Sequence, residues 1–249
     1  MVAISMASVP SFSIKTIEDS TSRKIIALIY GGNGFGKTSI ARDCHSPNGK
    51  SLILAADANY GPLAGKKHVV DIESWDQFSL AVERLPYADF DTVAVDTVTQ
   101  LIDLVQSHEC RRLGVEHPSD LEFGKCWQAM RVELGRVLTK LELRAKNVLY
   151  LAQESTQEVT SVPGRRIVRA VAMLAEKSGM RVRGATSLTG RIEVDDKTGL
   201  RTLNFKTRTE AEGKDTQAAF AKQGFVIEAT GARLWELFHA GAPPATENK

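Results

Sequence analysis

The chain has 249 residues, 43% of them hydrophobic and 25% charged, and a net charge of +2. That size admits one large α/β domain with a full core or two small ones, and the composition is that of a globular protein rather than a disordered or fibrous one. No apolar run approaches the ~20 residues of a membrane-spanning helix, so no membrane association is expected. Residues 1–20 lack the basic start and apolar block of a secretory signal. Cys44, Cys110 and Cys126 are odd in number and widely spaced, and the five histidines are scattered, so neither a zinc site nor a disulfide framework is indicated. A reduced, cytoplasmic setting is expected. The charge is unevenly spread: residues 160–208 hold eleven Lys and Arg against four acids, a net +7, which leaves −5 for the rest. A basic third is either a solvated mixed-charge surface or the contact for a polyanion.

In chain order, residues 1–10 are small and apolar and end at Pro10, which reads as an arm. Residues 12–17 and 24–30 read as strands separated by a polar turn. The second strand runs into Gly31-Gly32-Asn33-Gly34-Phe35-Gly36-Lys37-Thr38-Ser39, in which Gly31, Gly36, Lys37 and Thr38 fit G-x-x-x-x-G-K-[ST]. A triphosphate needs several backbone N–H groups turned inward, which favours residues without a Cβ. Lys37 is expected to reach the β and γ phosphates of ATP, the Thr38 hydroxyl to ligate Mg²⁺, and the start of a helix over Lys37–Asp43 to add partial positive charge. The competing reading is a structural glycine-rich turn between strand and helix.

Residues 51–56 (SLILAA) form a continuous apolar run of the kind buried on both faces, and end at Asp57. A short strand is expected over 68–72. A helix over 75–85 would place Phe78, Val82 and Leu85 on one face. Residues 91–97 (DTVAVDT) put Asp96 at the carboxyl end of a strand, where open α/β sheets bind ligands. Helices are expected over Val98–Leu113 and 127–146, with a loop over 114–124, and a third buried strand over 148–152 (VLYLA) ends at Gln153. This alternation predicts an α/β fold, a mostly parallel sheet flanked by helices. Beyond Gln153, residues 154–166 read as a polar loop and 167–177 as a helix. Residues 191–194 and 200–206 read as a C-terminal β-hairpin, 226–229 as a last strand, 232–240 as a last helix, and 241–249 as a tail. The expected organisation is thus an arm and first strand over 1–22, a core over 23–240, and the tail.

Three polar residues end buried strands, and each has two readings. Asp96 either holds a water on Mg²⁺ or caps the following helix. Asp57 either orients an attacking water or is an ordinary turn residue. Gln153 either senses the γ-phosphate through its amide or is merely satisfied at a strand end. Phe205 is the one aromatic residue of the basic region, so stacking on bases is not indicated, and any polyanion there would be held through its phosphates.

Taken in order, GGNGFGKT, LILAADANYG, TVAVDT and VLYLAQ resemble the RecA-like ATPases over about residues 23–240. Length and the WELF-containing last helix are similar to the short phage RecA-core ATPases, a group that includes single-strand annealing proteins of the Sak type. The resemblance implies a P-loop ATPase that binds single-stranded DNA in annealing or recombination, with ATP and Mg²⁺ between subunits of a filament or ring. It implies a single-strand-binding protein as a partner and, for a phage protein, a bacterial host cytoplasm. It implies DNA contacts at Arg165, Arg166 and Arg169 and at an earlier loop near Arg111, Arg112 and Lys125. Lys206 and Arg208, spaced as K-x-K, would reach a neighbour's nucleotide. Two other readings stay open: a small P-loop phosphotransferase, in which Arg165, Arg166 and Arg169 would close over the phosphates, and, because Asp57 stands where the family has Glu, a non-hydrolysing module with ATP as a structural ligand.

Overall fold

The computed structural model describes residues 24–57, 68–161, 165–208, 211–215 and 226–239. The expected arm and first strand, the residues following Asp57, positions 162–164 of the expected polar loop and the tail lie outside the described residues. The sheet has ten described strands: β1 (Ile26–Gly31), β2 (Ser51–Ala55), β3 (His68–Asp71), β4 (Thr92–Asp96), β5 (Asn147–Ser161), β6 (Arg165–Ala172), β7 (Leu188–Val194), β8 (Arg201–Asn204), β9 (Lys214–Asp215) and β10 (Val226–Glu228). The helices are α1 (Lys37–Asp43), α2 (Trp75–Arg84), α3 (Val98–Leu113), α4 (Lys125–Arg144), α5 (Glu176–Ala185) and α6 (Gly231–His239). Short 3-10 turns, Pro118–Asp120 and Glu122–Gly124, lie within the expected 114–124 loop.

Strands run in the order β10-β8-β7-β1-β5-β4-β2-β3. The pairs from β7 through β3 are parallel, and β8 and β10 extend one edge antiparallel. Alternation along each strand sends side chains to two cores. Leu28, Tyr30, Leu54, Val93 and Tyr150 pack beneath α2, α3 and α4. Ala27, Ile29, Ile53, Leu149 and Leu151 pack beneath α1 and α6. Burying a side chain such as Phe78 or Leu234, both fully buried, contributes about 1.5–3 kcal/mol. The central strands therefore read as unbroken apolar runs because both faces are covered. Among the described residues no helix is long and apolar enough to cross a membrane.

The region after Gln153 differs from its sequence reading. Residues 154–161 are not a loop but the second half of β5, and 167–177 are not one helix. Positions 165–172 form β6, antiparallel to β5 from Glu154↔Ala172 to Ser161↔Arg165, and α5 begins only at Glu176. The apolar residues of 167–174 fit either period, and hairpin pairing of 165–172 with the adjoining half of β5 decides for strand. A second departure lies after β8, which stops at Asn204, so Lys206 and Arg208 follow the strand rather than share one of its faces.

Candidate functional site

The carboxyl ends of β1, β4 and β2 finish at nearly the same level as Gln153, midway along β5, and this brings these residues together. Gly31 pairs with Gln153 across β1 and β5, and Ala55 with Asp96 across β2 and β4. The amides of Ala56 and Asp57 both donate to the Asp96 carbonyl, at 2.7 and 3.1 Å, which ties the exit of β2 to the end of β4. A 490 Å³ cavity results, lined by Asn33, Gly34, Gly36, Lys37, Thr38, Ser39, Asp57, Asp96, Thr97 and Gln153. Gly31, Gly32 and Phe35 complete the loop, with the Phe35 amide donating to the Gly32 carbonyl at 3.4 Å. Gly34 and Gly36 take φ of +78° and +92°, which a side chain would strain.

Lys37 is 8% exposed and arches back over the loop, its Nζ donating to the carbonyls of Gly31 and Gly32 at 2.8 and 2.9 Å. Burial lowers its pKa, and the charges of Asp96, Asp57 and Glu154 partly restore it. The Thr38 hydroxyl donates to Asp96 Oδ2 at 2.6 Å. Burial raises the Asp96 carboxyl, the Thr38 hydrogen bond opposes this, the nearby Asp57 adds to it and Lys37 opposes it. Of the Asp96-Thr97 pair, Thr97 is the cap of α3: its side chain accepts from the Gln100 amide at 3.3 Å. The Asp96 carboxylate is left facing Thr38.

The predicted DNA and in-trans residues lie elsewhere. Arg165 and Arg166 begin β6. Arg169 is half-buried: it donates to the Ala211 carbonyl at 3.4 Å, and its Nε is buried without a hydrogen-bond partner among the described residues. Arg111 and Arg112 end α3 and Lys125 opens α4, and these helix ends meet where Cys110 and Cys126 bring their sulfurs to 3.8 Å. The Arg112 guanidinium is held by the buried Glu109 at 2.6 Å. Lys206 and Arg208 are exposed, with Arg208 4.0 Å from Glu193. Phe205 is buried, so it offers no stacking surface.

Sequence reasoning missed two groups. Arg191 of β7 grips Glu154 through two bonds of 2.8 and 2.9 Å, directly after Gln153. Arg201, at the start of β8, lies against the phosphate-type loop, with Nη1 3.5 Å from the Phe35 carbonyl, and a side chain at Gly36 would collide with its guanidinium. Neither has a local sequence signal, because both depend on β7 and β8 lying beside β1.

The fold and this site define an α/β P-loop domain. Residues 23–217 match the family model described as an AAA domain, and the chain belongs to that family. Among solved structures the chain is similar to one described as the crystal structure of the RadB recombinase, at 15% sequence identity and a TM-score of 0.44, over 76% of this chain and 84% of that one. A comparison with curated proteins found no match.

Proposed function

We propose that this chain is an ATP-dependent single-stranded-DNA-binding protein of RecA-like type, acting in annealing or recombination, with the nucleotide held between subunits. The observation that carries the reading is the convergence of Lys37, Thr38, Asp96, Asp57 and Gln153 on one cavity, from which β5 continues directly into the arginine-bearing β5–β6 hairpin.

The residues fit the expected ligands. Thr38 Oγ1 and Asp96 Oδ2, 2.6 Å apart, are hard oxygen donors of the kind that hold Mg²⁺. This ion takes its remaining ligands from waters and phosphates, so no dedicated protein cage is needed. Among the described residues there is no cluster of three or more acidic, His or Cys side chains suited to a metal. When bound, Mg²⁺ neutralises charge on the β and γ phosphates. Lys37 would exchange its two carbonyl partners for phosphate oxygens. Asp57 would orient the attacking water, and the Gln153 amide would report the terminal phosphate to the hairpin. Arg165 and Arg166, with Arg111, Arg112 and Lys125, would contact the DNA backbone, and Arg169 would anchor the hairpin to residue 211. Lys206 and Arg208 would serve the neighbouring subunit's phosphates.

Asp57 favours a second reading, in which ATP is a structural ligand, because its carboxylate is one methylene shorter than the expected Glu. ATP hydrolysis measured with and without single-stranded DNA separates them. Stimulation by DNA supports the first reading. A slow rate indifferent to DNA, with ATP still bound, supports the second. Turnover only in the presence of a small acceptor would point to a phosphotransferase.

A further inference from the structure

The facing ends of α3 and α4 hold a pair of nucleophilic groups that the phosphate cavity does not use. Cys110 lies in the last turn of α3 and Cys126 in the first turn of α4, with their sulfurs 3.8 Å apart. Met130, Leu113, Val115, Leu121 and Trp127 enclose them in a small cluster separate from the two main cores. Both are free thiols. We infer that Cys110 and Cys126 are a modification site: a small hydroperoxide joins them in a reversible disulfide that staples the end of α3 to the start of α4.

The geometry permits the bond. A disulfide needs about 2.05 Å between sulfurs, so the two must close by roughly 1.8 Å, a distance within the swing of a thiol about its Cα–Cβ bond. Exposure orders the steps. Cys110 is 5% exposed and Cys126 0%, so only an oxidant near the size of water reaches the pair, and it meets Cys110 first. The Cys110 sulfur attacks a peroxide oxygen, the O–O bond breaks, and Cys110 becomes a sulfenic acid while the other oxygen leaves as water with the thiol's proton. The Cys126 sulfur then attacks the sulfenic sulfur, the S–O bond breaks, and the hydroxyl leaves with the Cys126 proton as a second water. The two sulfurs have lost two electrons, and the peroxide has gained them. Burial and the contact with Cys110 push the Cys126 thiol up to about 11, with Arg112 acting the other way, so the pair rests reduced and reacts slowly at neutral pH. Cys44 is the internal control. It is buried, is pushed up to about 12, and shares its cluster with no second cysteine that could trap a sulfenic acid.

The staple would act on groups assigned to DNA, and this consequence rests on that proposed function. Arg111 and Arg112 directly follow Cys110, Lys125 directly precedes Cys126, and all three are exposed. The segment between them is tied within itself: the His117 amide donates to Asp120 at 2.7 Å and the Ser119 amide to His117 Nδ1 at 3.2 Å. A covalent link across its two ends fixes the spacing of the three cations before DNA arrives. Fixing them in advance lowers the ordering cost of binding, so the oxidised protein is the tighter binder.

The test treats the full chain with hydrogen peroxide at neutral pH, then alkylates, digests and maps it by mass spectrometry without reduction. A peptide linked through Cys110 and Cys126, released by dithiothreitol, is expected, with Cys44 recovered as the thiol. The unfolding temperature should rise by about 5–10 °C on oxidation, as closing a loop of this length predicts, and Cys126→Ala should show no such rise. Recovery of Cys110 and Cys126 as thiols or sulfinic acids, or linked to Cys44 or between chains, overturns the inference, and this readout needs no variant to fold. Affinity for a single-stranded oligonucleotide is then measured before and after oxidation. It should tighten about threefold in the unmodified protein and stay constant in Cys126→Ala. Unchanged or weaker affinity in the linked protein removes the staple's role in DNA binding. If neither state binds DNA, the proposed DNA function fails, and the linked peptide still establishes the disulfide.

Discussion

Lys37 and Asp96 are a buried cation and a buried anion whose pKa values are displaced by the same cause, loss of water. Lys37 holds two loop carbonyls in place of phosphate, so its removal deletes the charge meant for the ligand without opening the core. Lys37→Ala should reduce ATP affinity by about 100-fold or more, the loss expected for a buried charge-assisted contact pair, as read by calorimetry. Asp96 allows a pH test. Its folded pKa is raised, so its stabilising contribution is complete below the unfolded value near 3.8 and is lost as pH rises through the folded value. At neutral pH the ionised carboxylate is therefore a net cost to the nucleotide-free protein. Asp96→Asn, which still accepts from Thr38, should raise the unfolding temperature at pH 7 by about 2–4 °C per kcal/mol recovered, and the gain should shrink as the pH is lowered towards 4. The same variant should lose Mg²⁺-dependent ATP binding. A lower unfolding temperature with intact Mg²⁺ dependence would return Asp96 to a structural role.

Two elements connect the site to the rest of the molecule. Helix α6 lies so close to α1 that a Cβ at Gly231 would sit 2.6 Å from the Cys44 backbone nitrogen, where α1 ends. Gly231→Ala should therefore destabilise the protein by about 1–3 kcal/mol, measured by denaturant unfolding, because backbone rather than a flexible side chain must yield. An unchanged midpoint would mean that the two helices separate without cost. The β5–β6 hairpin is the other element. Tyr30, the last residue of β1 before Gly31, donates its hydroxyl to the Glu212 carbonyl at 2.7 Å and to the Ala170 carbonyl of β6 at 3.2 Å, which joins the phosphate-type loop to the hairpin's base. For single-stranded DNA each phosphate contact contributes about 0.7 to the log–log salt slope. Arg165→Ala with Arg166→Ala should therefore lower that slope by up to about 1.4. The same slope and affinity in the double variant would place DNA elsewhere.

At the scale of the whole molecule, the sheet order sets which groups can act within a subunit. β7 lies beside β1, and its neighbour β8 brings Arg201 to the chain's own loop. Lys206 and Arg208 lie beyond the end of β8, exposed. Our reading directs them at the loop of an adjacent subunit, where they would stabilise charge developing on the γ-phosphate. Mixing a Lys206→Ala/Arg208→Ala protein with a Lys37→Ala protein tests this. Each alone should be nearly inactive, and the mixture should regain part of the DNA-stimulated hydrolysis through interfaces that pair an intact loop with intact cations. A mixture that stays inactive while both proteins co-assemble on DNA would remove the in-trans role.

The amino-acid sequence by itself determined the parts of this protein whose physics is local. The phosphate-type loop from Gly31 to Ser39 was legible because glycine at fixed positions, a lysine and a hydroxyl residue serve one backbone conformation and one ligand. The buried apolar runs before Asp57, Asp96 and Gln153 were legible because segments covered on both faces must be continuously apolar, and a polar residue marks where that burial stops, although β5 itself runs on to Ser161. Only the tertiary structure decided what depends on pairing rather than on the residues of one segment. Residues 165–172 became a strand because the adjoining residues 154–161 offered an edge to pair with in a hairpin, although their side chains suit a helix nearly as well. That the Asp96 carboxylate meets Thr38, fifty-eight residues earlier, while Thr97 caps α3, depends on β1 and β4 ending side by side with β5 between them. Arg201 stands at the loop only because β7 and β8 extend the sheet on that side, and no spacing within a single strand encodes which strand will be its neighbour.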